Sequence, residues 1–190
     1  MGATPEKDLG PIGPGAPGAE GAAAASRDDP SCEALLLDNQ LCFPLYACSK
    51  EVVRSYQPLL APLGLTYTQY LCMMVLWEEQ VTSVRSLGER LYLDSGTLTP
   101  VLKKLEDRGY VTRERSVADA RVLEVSLTPE GRALRDRAAS VPPEMACHVH
   151  LSPEEAVELK RLLVKVLTQV RGGGAGGTGT CAQTKGEDGE

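Results

Sequence analysis

The sequence predicts a mainly α-helical fold with a small β-wing, and three observations between Ser86 and Thr128 predict it. The first is a short amphipathic segment, Ser86-Leu87-Gly88-Glu89-Arg90-Leu91, which breaks at Leu93-Asp94-Ser95 and offers Asp94 or Ser95 as an N-cap. The second is a helix from Gly96 to Arg108. Its Leu98, Val101, Leu102 and Leu105 recur at i, i+3, i+4, i+7 and make one apolar face. Gly109 closes that helix as a C′ glycine. The third is a pair of strand-like runs, Tyr110–Arg115 and Val122–Leu127, joined by Ser116–Arg121. Helix, turn, helix and a basic-tipped hairpin describe a winged helix-turn-helix module.

Such a module lays its second helix in a major groove of double-stranded DNA. At about 100° per residue, the face opposite the leucines holds Gly96, Pro100, Lys103 and Asp107, flanked by Thr99 and Lys104. Small residues let the helix approach the bases, and lysines meet phosphates at the rim. The candidate DNA contacts on this helix are Ser95, Gly96, Thr97, Thr99, Pro100 and Lys103, with Lys104 more peripheral. On the wing they are Arg113, Arg115 and Arg121, with Asp119 expected to hold Arg121 through a short ion pair. A proline inside a helix costs roughly 3 kcal/mol, and nothing local in the sequence offsets Pro100.

Flanking segments supply further helices. Residues 33–57 carry Leu37, Leu41, Leu45, Val52 and Val53 at helical spacing and read as one long helix bent near Pro44. Tyr67–Glu79 is another, with Leu71, Met74, Val75 and Trp77. Thr128-Pro129-Glu130 opens a helix to Arg137, and Leu151-Ser152-Pro153-Glu154-Glu155 opens the last, to about Val170. Leu159, Leu162, Leu163, Val166 and Leu167 exceed what one small module buries, so the terminal helices are expected to form a homodimer. Two recognition helices then reach successive major grooves about 34 Å apart.

Composition sets the frame. Residues 1–32 and 171–190 are Gly-rich and aperiodic and read as disordered tails. Between them lies one domain, 33–170, with a DNA-binding lobe at about 67–127 and dimerisation helices at about 33–57 and 128–170. The net charge of −6 argues against nucleic acid until it is located. The first 31 residues carry −3 and those from Arg171 carry −1, whereas Val81–Arg121 is locally +2. That balance predicts modest, strongly salt-dependent DNA affinity. No apolar run approaches the ~20 residues of a membrane span, and no signal peptide is evident. A cytoplasmic location without a membrane partner is therefore expected. The six cysteines show no paired C-x-x-C spacing. His148 and His150 beside Cys147 are only a weak metal lead, so no cofactor or metal is expected.

On these residues the chain resembles the MarR family of dimeric winged helix-turn-helix regulators, and within it the organic hydroperoxide resistance regulators. The resemblance covers about Leu37 to Val170. Its most specific stretches are Leu37-Asp38-Asn39-Gln40-Leu41-Cys42-Phe43, Leu91-Tyr92-Leu93-Asp94-Ser95-Gly96-Thr97-Leu98-Thr99-Pro100, and Asp119-Ala120-Arg121. The second makes Pro100 a family feature. The resemblance implies a repressor whose peroxide sensor is Cys42, assisted by Tyr56 and Tyr67, with Tyr46 a further candidate. It also implies a resolving thiol at Cys147, donated across the dimer to form an intersubunit disulfide. Cys48 and Cys72 are expected to be packing residues, and Cys181 lies in the tail. Pro44 departs from the pattern, and its ring is expected to leave the Gln40 carbonyl without a partner and bend the helix at the sensor. The resemblance also leaves open a repressor released by a non-covalent phenolic ligand. A thiol peroxidase is disfavoured, because such an enzyme has no use for a basic wing.

Overall fold

The structure, a computed structural model, describes residues 33 and 35–172, so most of both expected tails lies outside the described residues. The chain divides between Ser49 and Lys50 into two compact units. In the first, a 3-10 turn at Leu37–Asn39 is followed by extended backbone at Gln40 (φ −89°, ψ 110°). Helix α1, Cys42–Leu60, starts only after it. The long helix expected from residue 33 is therefore interrupted, and the break lies at Gln40 instead of Pro44. Pro44 is the third residue of α1, where backbone N–H groups have no intrahelical partner to lose. The Gln40 carbonyl is not orphaned either, since it accepts the Phe43 N–H at 3.2 Å.

In the second unit the order is α2 (Tyr67–Glu79), β1 (Val81–Ser83), α3 (Val84–Leu91), α4 (Ser95–Asp107), β2 (Val111–Arg115), β3 (Leu123–Leu127), α5 (Pro129–Ala138), α6 (Val141–Val149) and α7 (Pro153–Gly172). Thr66 and Gln69 start α2 with a reciprocal capping box. The three strands form an antiparallel sheet in the order β1-β3-β2. Val81 pairs with Ser126, and Val111 and Arg115 pair with Leu127 and Leu123. The sequence reading anticipated β2 and β3 but not β1 or α6. Helix α7 runs two residues past Val170, into what was expected to be tail.

Helix α4 owes its position to its leucines. Leu98, Leu102 and Leu105 are at most 1% exposed and pack with Met73 and Leu76 of α2, Leu87 of α3, and Val111 and Val125 of the sheet. Its start is fixed by Asp94, whose carboxylate accepts the Thr97 N–H at 2.8 Å and the Thr97 hydroxyl at 3.0 Å. Its end is a Schellman closure in which Gly109 N–H donates to Glu106 and Tyr110 N–H to Leu105. The turn from α3 is tight. A Cβ on Gly88 would lie 2.7 Å from the Leu93 carbonyl and 3.1 Å from Leu98, so any side chain there would push the two helices apart. Pro100 sits in mid-helix, and the carbonyl four residues earlier belongs to exposed Gly96, where water can replace the missing bond.

Helix α7 contrasts with this core. None of its residues is buried, and Leu159, Leu162, Leu163, Val166 and Leu167 stand exposed. Among the described residues, no single helix is long and apolar enough to cross a membrane.

Candidate nucleic-acid interface and thiol sites

The capping of α4 and the burial of its leucines leave Ser95, Gly96, Thr97, Thr99, Pro100, Lys103 and Lys104 exposed along the free side of the helix. Their donors are not equally available. The Thr97 hydroxyl is spent on Asp94, and the Thr99 hydroxyl donates to the Ser95 carbonyl at 2.7 Å. Both threonines therefore offer a methyl group and an acceptor, whereas Ser95 and the two lysines remain donors. Hydrogen bonds, led by the Thr97 N–H and hydroxyl, hold the Asp94 carboxyl below the usual carboxylate range. The cap thus stays anionic at neutral pH.

On the wing the three arginines separate. Arg113 departs from its expected role: its guanidinium is mostly buried and donates through Nε to Glu106 of α4 at 2.9 Å. It braces the strand against the recognition helix instead of extending from the wing. Arg115 and Arg121 are exposed, and the Arg115 guanidinium lies 3.4 Å from the Arg121 carbonyl. Asp119 accepts the Arg121 backbone N–H at 2.9 Å and, among the described residues, makes no ion pair. It shapes the turn rather than holding the Arg121 side chain. Elsewhere Arg85 pairs with Glu89, and Arg90 with Glu78 and Glu79. Among the described residues, Lys103, Lys104, Arg115 and Arg121 make no ion pair and stand exposed on α4 and the hairpin.

An open cleft of about 770 Å³ joins the start of α4 to the wing, with Ser95, Arg85, Tyr92 and Arg121 in its lining. Ser95 and Arg121, 26 residues apart, share it. Arg171 at the end of α7 also reaches the cleft, with its guanidinium 4.3 Å above the Tyr92 ring. Neither Tyr92 nor Arg171 was singled out from sequence, since their contact joins distant segments.

The described cysteines, Cys42, Cys48, Cys72 and Cys147, fall into two environments, and Cys32 and Cys181 lie outside the described residues. Cys42, at the start of α1, is exposed, as is Tyr46 one turn on. Cys147, expected to be the resolving thiol, lies on α6 and is exposed. Cys48, expected to be packing, is exposed too. Cys72 is the packing residue of the set, and burial pushes its thiol up to about 12. Tyr56 and Tyr67, proposed as a pair, do meet: their rings lie 4.8 Å apart. Tyr70, one turn beyond Tyr67, joins them with its ring 6.0 Å from that of Tyr56. Burial raises the pKa of all three phenols, so they remain O–H donors at neutral pH. The spacing Tyr67-x-x-Tyr70 was the available signal for this third member.

A helix-turn-helix closed by a three-stranded wing, with unpaired cations on its free helix and hairpin, defines a winged DNA-recognition module. Comparison with known proteins agrees. The model of the MarR family matches residues 65–123. The organic hydroperoxide resistance transcriptional regulator of Bacillus subtilis is 46% identical over 131 residues, covering 69% of this chain and 89% of that protein. Among solved structures, the reduced form of AbfR bound to DNA aligns with a TM-score of 0.64 at 35% identity, over 75% of this chain and 97% of that one. The disulfide form of AbfR aligns with a TM-score of 0.53 at 36% identity, over 72% and 96% of the two chains. This chain belongs to the MarR family of transcriptional regulators.

The Arg113–Glu106 pair generates a pH prediction. Hydrogen bonding to Arg113 lowers the Glu106 pKa, so the pair's stabilisation is complete above the usual glutamate value of about 4.3 and is lost as pH falls through the lowered one. Glu106→Gln is expected to cost about 0.5–1 kcal/mol at neutral pH, a modest figure because solvent screens the pair. In urea titrations the gap between wild type and variant should narrow as pH falls below the usual glutamate value of about 4.3. A gap unchanged across that range would contradict the assignment.

Proposed function

We propose that this protein is a homodimeric repressor that holds double-stranded operator DNA through α4 and the wing and releases it when an organic hydroperoxide oxidises Cys42. The observation that carries this reading is the 46% identity, over 131 residues, to an organic hydroperoxide resistance regulator. Exposed apolar residues along α7 support a second copy as the partner of the terminal helices. Ser95, Thr97, Thr99 and Lys103, with Lys104 at the rim, face the major groove. Gly96 and Pro100 keep the helix slim there. Arg121, set by the Asp119 turn, and Arg115 serve the backbone or minor groove.

The chemistry at the sensor is a two-electron oxidation. The Cys42 thiolate attacks one peroxide oxygen, the O–O bond breaks, and the alkoxide leaves and takes a proton to become an alcohol. Cys42 is then a sulfenic acid. Cys42 occupies the first position of α1, the end of a helix that favours an anion. Tyr56 and Tyr67, with Tyr46 as a further donor, offer phenolic O–H groups to the sulfur or the leaving oxygen. In a second step the thiolate of Cys147 of the partner subunit attacks the sulfenic sulfur, a disulfide forms, and hydroxide leaves as water. AbfR has been solved in a disulfide form and in a reduced form bound to DNA, which supports a switch of this type.

Two variants test the two halves of the reading. Arg121→Ala is expected to weaken binding of a duplex selected from a random-sequence pool roughly tenfold and to lower the salt slope by about 1, with dimerisation unchanged. Equal affinity and slope would remove Arg121 from the interface. Cys147→Ser is expected to lose the covalent dimer that cumene hydroperoxide produces on a non-reducing gel. A covalent dimer that persists in this variant would overturn the pairing.

A further inference from the structure

The aromatic cluster does not end at the three phenols. The Tyr70 ring meets Trp77 edge-on, with centroids 6.1 Å apart, and both residues are at least nine-tenths buried. Tyr56, Tyr67, Tyr70 and Trp77 therefore form a continuous run of rings. At its far end the Trp77 indole N–H donates to the Gly131 carbonyl at 2.8 Å. Gly131 lies in the first turn of α5, where the chain leaves β3 and the wing.

That junction has no slack. The Gly131 N–H donates to the Thr128 hydroxyl at 3.0 Å, and this hydroxyl donates to the Gly109 carbonyl at 2.6 Å. The Thr128 N–H donates to the Tyr110 carbonyl at 3.1 Å. A Cβ on Gly131 would lie 2.1 Å from the Tyr110 carbonyl oxygen and 2.9 Å from Leu127, the residues at the base of β2 and β3. Moving the indole would leave a buried donor and a buried acceptor without partners. The junction therefore answers a displacement of Trp77 by shifting as a unit, because packed cores switch between discrete arrangements instead of deforming smoothly.

We infer that Trp77 is the coupling element between the phenol cluster and the DNA-binding face. A change in the packing of Tyr56 and Tyr67 passes through Tyr70 to the indole, and the indole–Gly131 bond carries it to the root of the wing. The inference rests on the redox reading proposed above, in which Tyr56 and Tyr67 assist the oxidation of Cys42. It assigns a role to Trp77 and Tyr70 that requires neither to touch peroxide or DNA.

Trp77 is the only tryptophan in the chain, so its emission reports this site alone. The full-length protein is treated with one equivalent of cumene hydroperoxide. Oxidation of Cys42, and the integrity of Trp77 itself, are followed by mass spectrometry. Indole emission and affinity for the selected duplex are measured before and after treatment. In the wild type, Cys42 oxidation is expected to shift the emission maximum and to reduce affinity by a factor within the roughly 5–150-fold range usual for coupled sites. Trp77→Phe keeps a ring but loses the N–H. It is expected to bind DNA when reduced and to shrink the oxidation-induced loss about three- to tenfold, the worth of one hydrogen bond. An unchanged emission with Cys42 oxidised and DNA released overturns the inference while leaving the redox reading intact, and so does a full-sized loss in Trp77→Phe. If Trp77→Phe does not fold, the wild-type emission alone decides. If Cys42 is not oxidised at all, the redox reading falls first and this inference falls with it.

Discussion

Burial of the leucine face of α4 is the constraint on which the candidate interface depends. Leu98, Leu102 and Leu105 can leave water only by packing against α2, α3 and the sheet, and burying side chains of this size is worth roughly 1.5–3 kcal/mol each. Once that face is buried, helical geometry fixes which residues point outward, and Ser95, Lys103 and Lys104 have no alternative. Close approach at Gly88 and the anionic cap at Asp94 then set the angle and the first residue of the helix. The exposed face is thus a consequence of the core.

Electrostatics sharpen that face by removing competitors. The chain is acidic overall, yet four carboxylates near the module are engaged: Glu106 with Arg113, Glu89 with Arg85, Glu78 and Glu79 with Arg90. These pairs consume arginines as well, which is why a count of basic residues in Val81–Arg121 overstates the positive field. Among the described residues of that stretch, Lys103, Lys104, Arg108, Arg115 and Arg121 make no ion pair, and they lie on α4, at its C-terminal end and on the hairpin. Under the proposed function, a protein built this way depends on a few phosphate contacts and on a second copy that doubles them.

The sequence was most legible where periodicity and capping agree. Tyr67–Glu79 was read to the residue, and α4 to within one residue at each end, because the leucine spacing, the Asp94 cap and the Gly109 closure all point the same way. Strand β1 escaped because three residues carry no period, and it exists only through its pairing with β3. Helix α6 escaped because Val141-Pro142-Pro143 reads as a break, whereas prolines in a first turn cost nothing. The same rule undid the bend expected at Pro44. Of the candidate residues, the exposed face of α4 and the Tyr56–Tyr67 pair were visible in spacing or in resemblance. The Glu106 brace on Arg113, the hydroxyl bonds that occupy Thr97 and Thr99, and the Asp119 bond to backbone were not. Each depends on where two elements cross or how a side chain turns, and a linear pattern does not encode that.

The central claim joins one sulfur to one surface, and a stoichiometric titration tests it most directly. The reduced protein, bound to a fluorescein-labelled duplex selected from a random-sequence pool, receives cumene hydroperoxide in fractional equivalents while anisotropy is recorded. Each point is split for mass analysis of Cys42 and then treated with dithiothreitol. Anisotropy should fall in proportion to the fraction of Cys42 oxidised and recover on reduction. DNA that stays bound while Cys42 is fully oxidised would contradict the claim and leave a MarR-family repressor controlled by something other than this thiol.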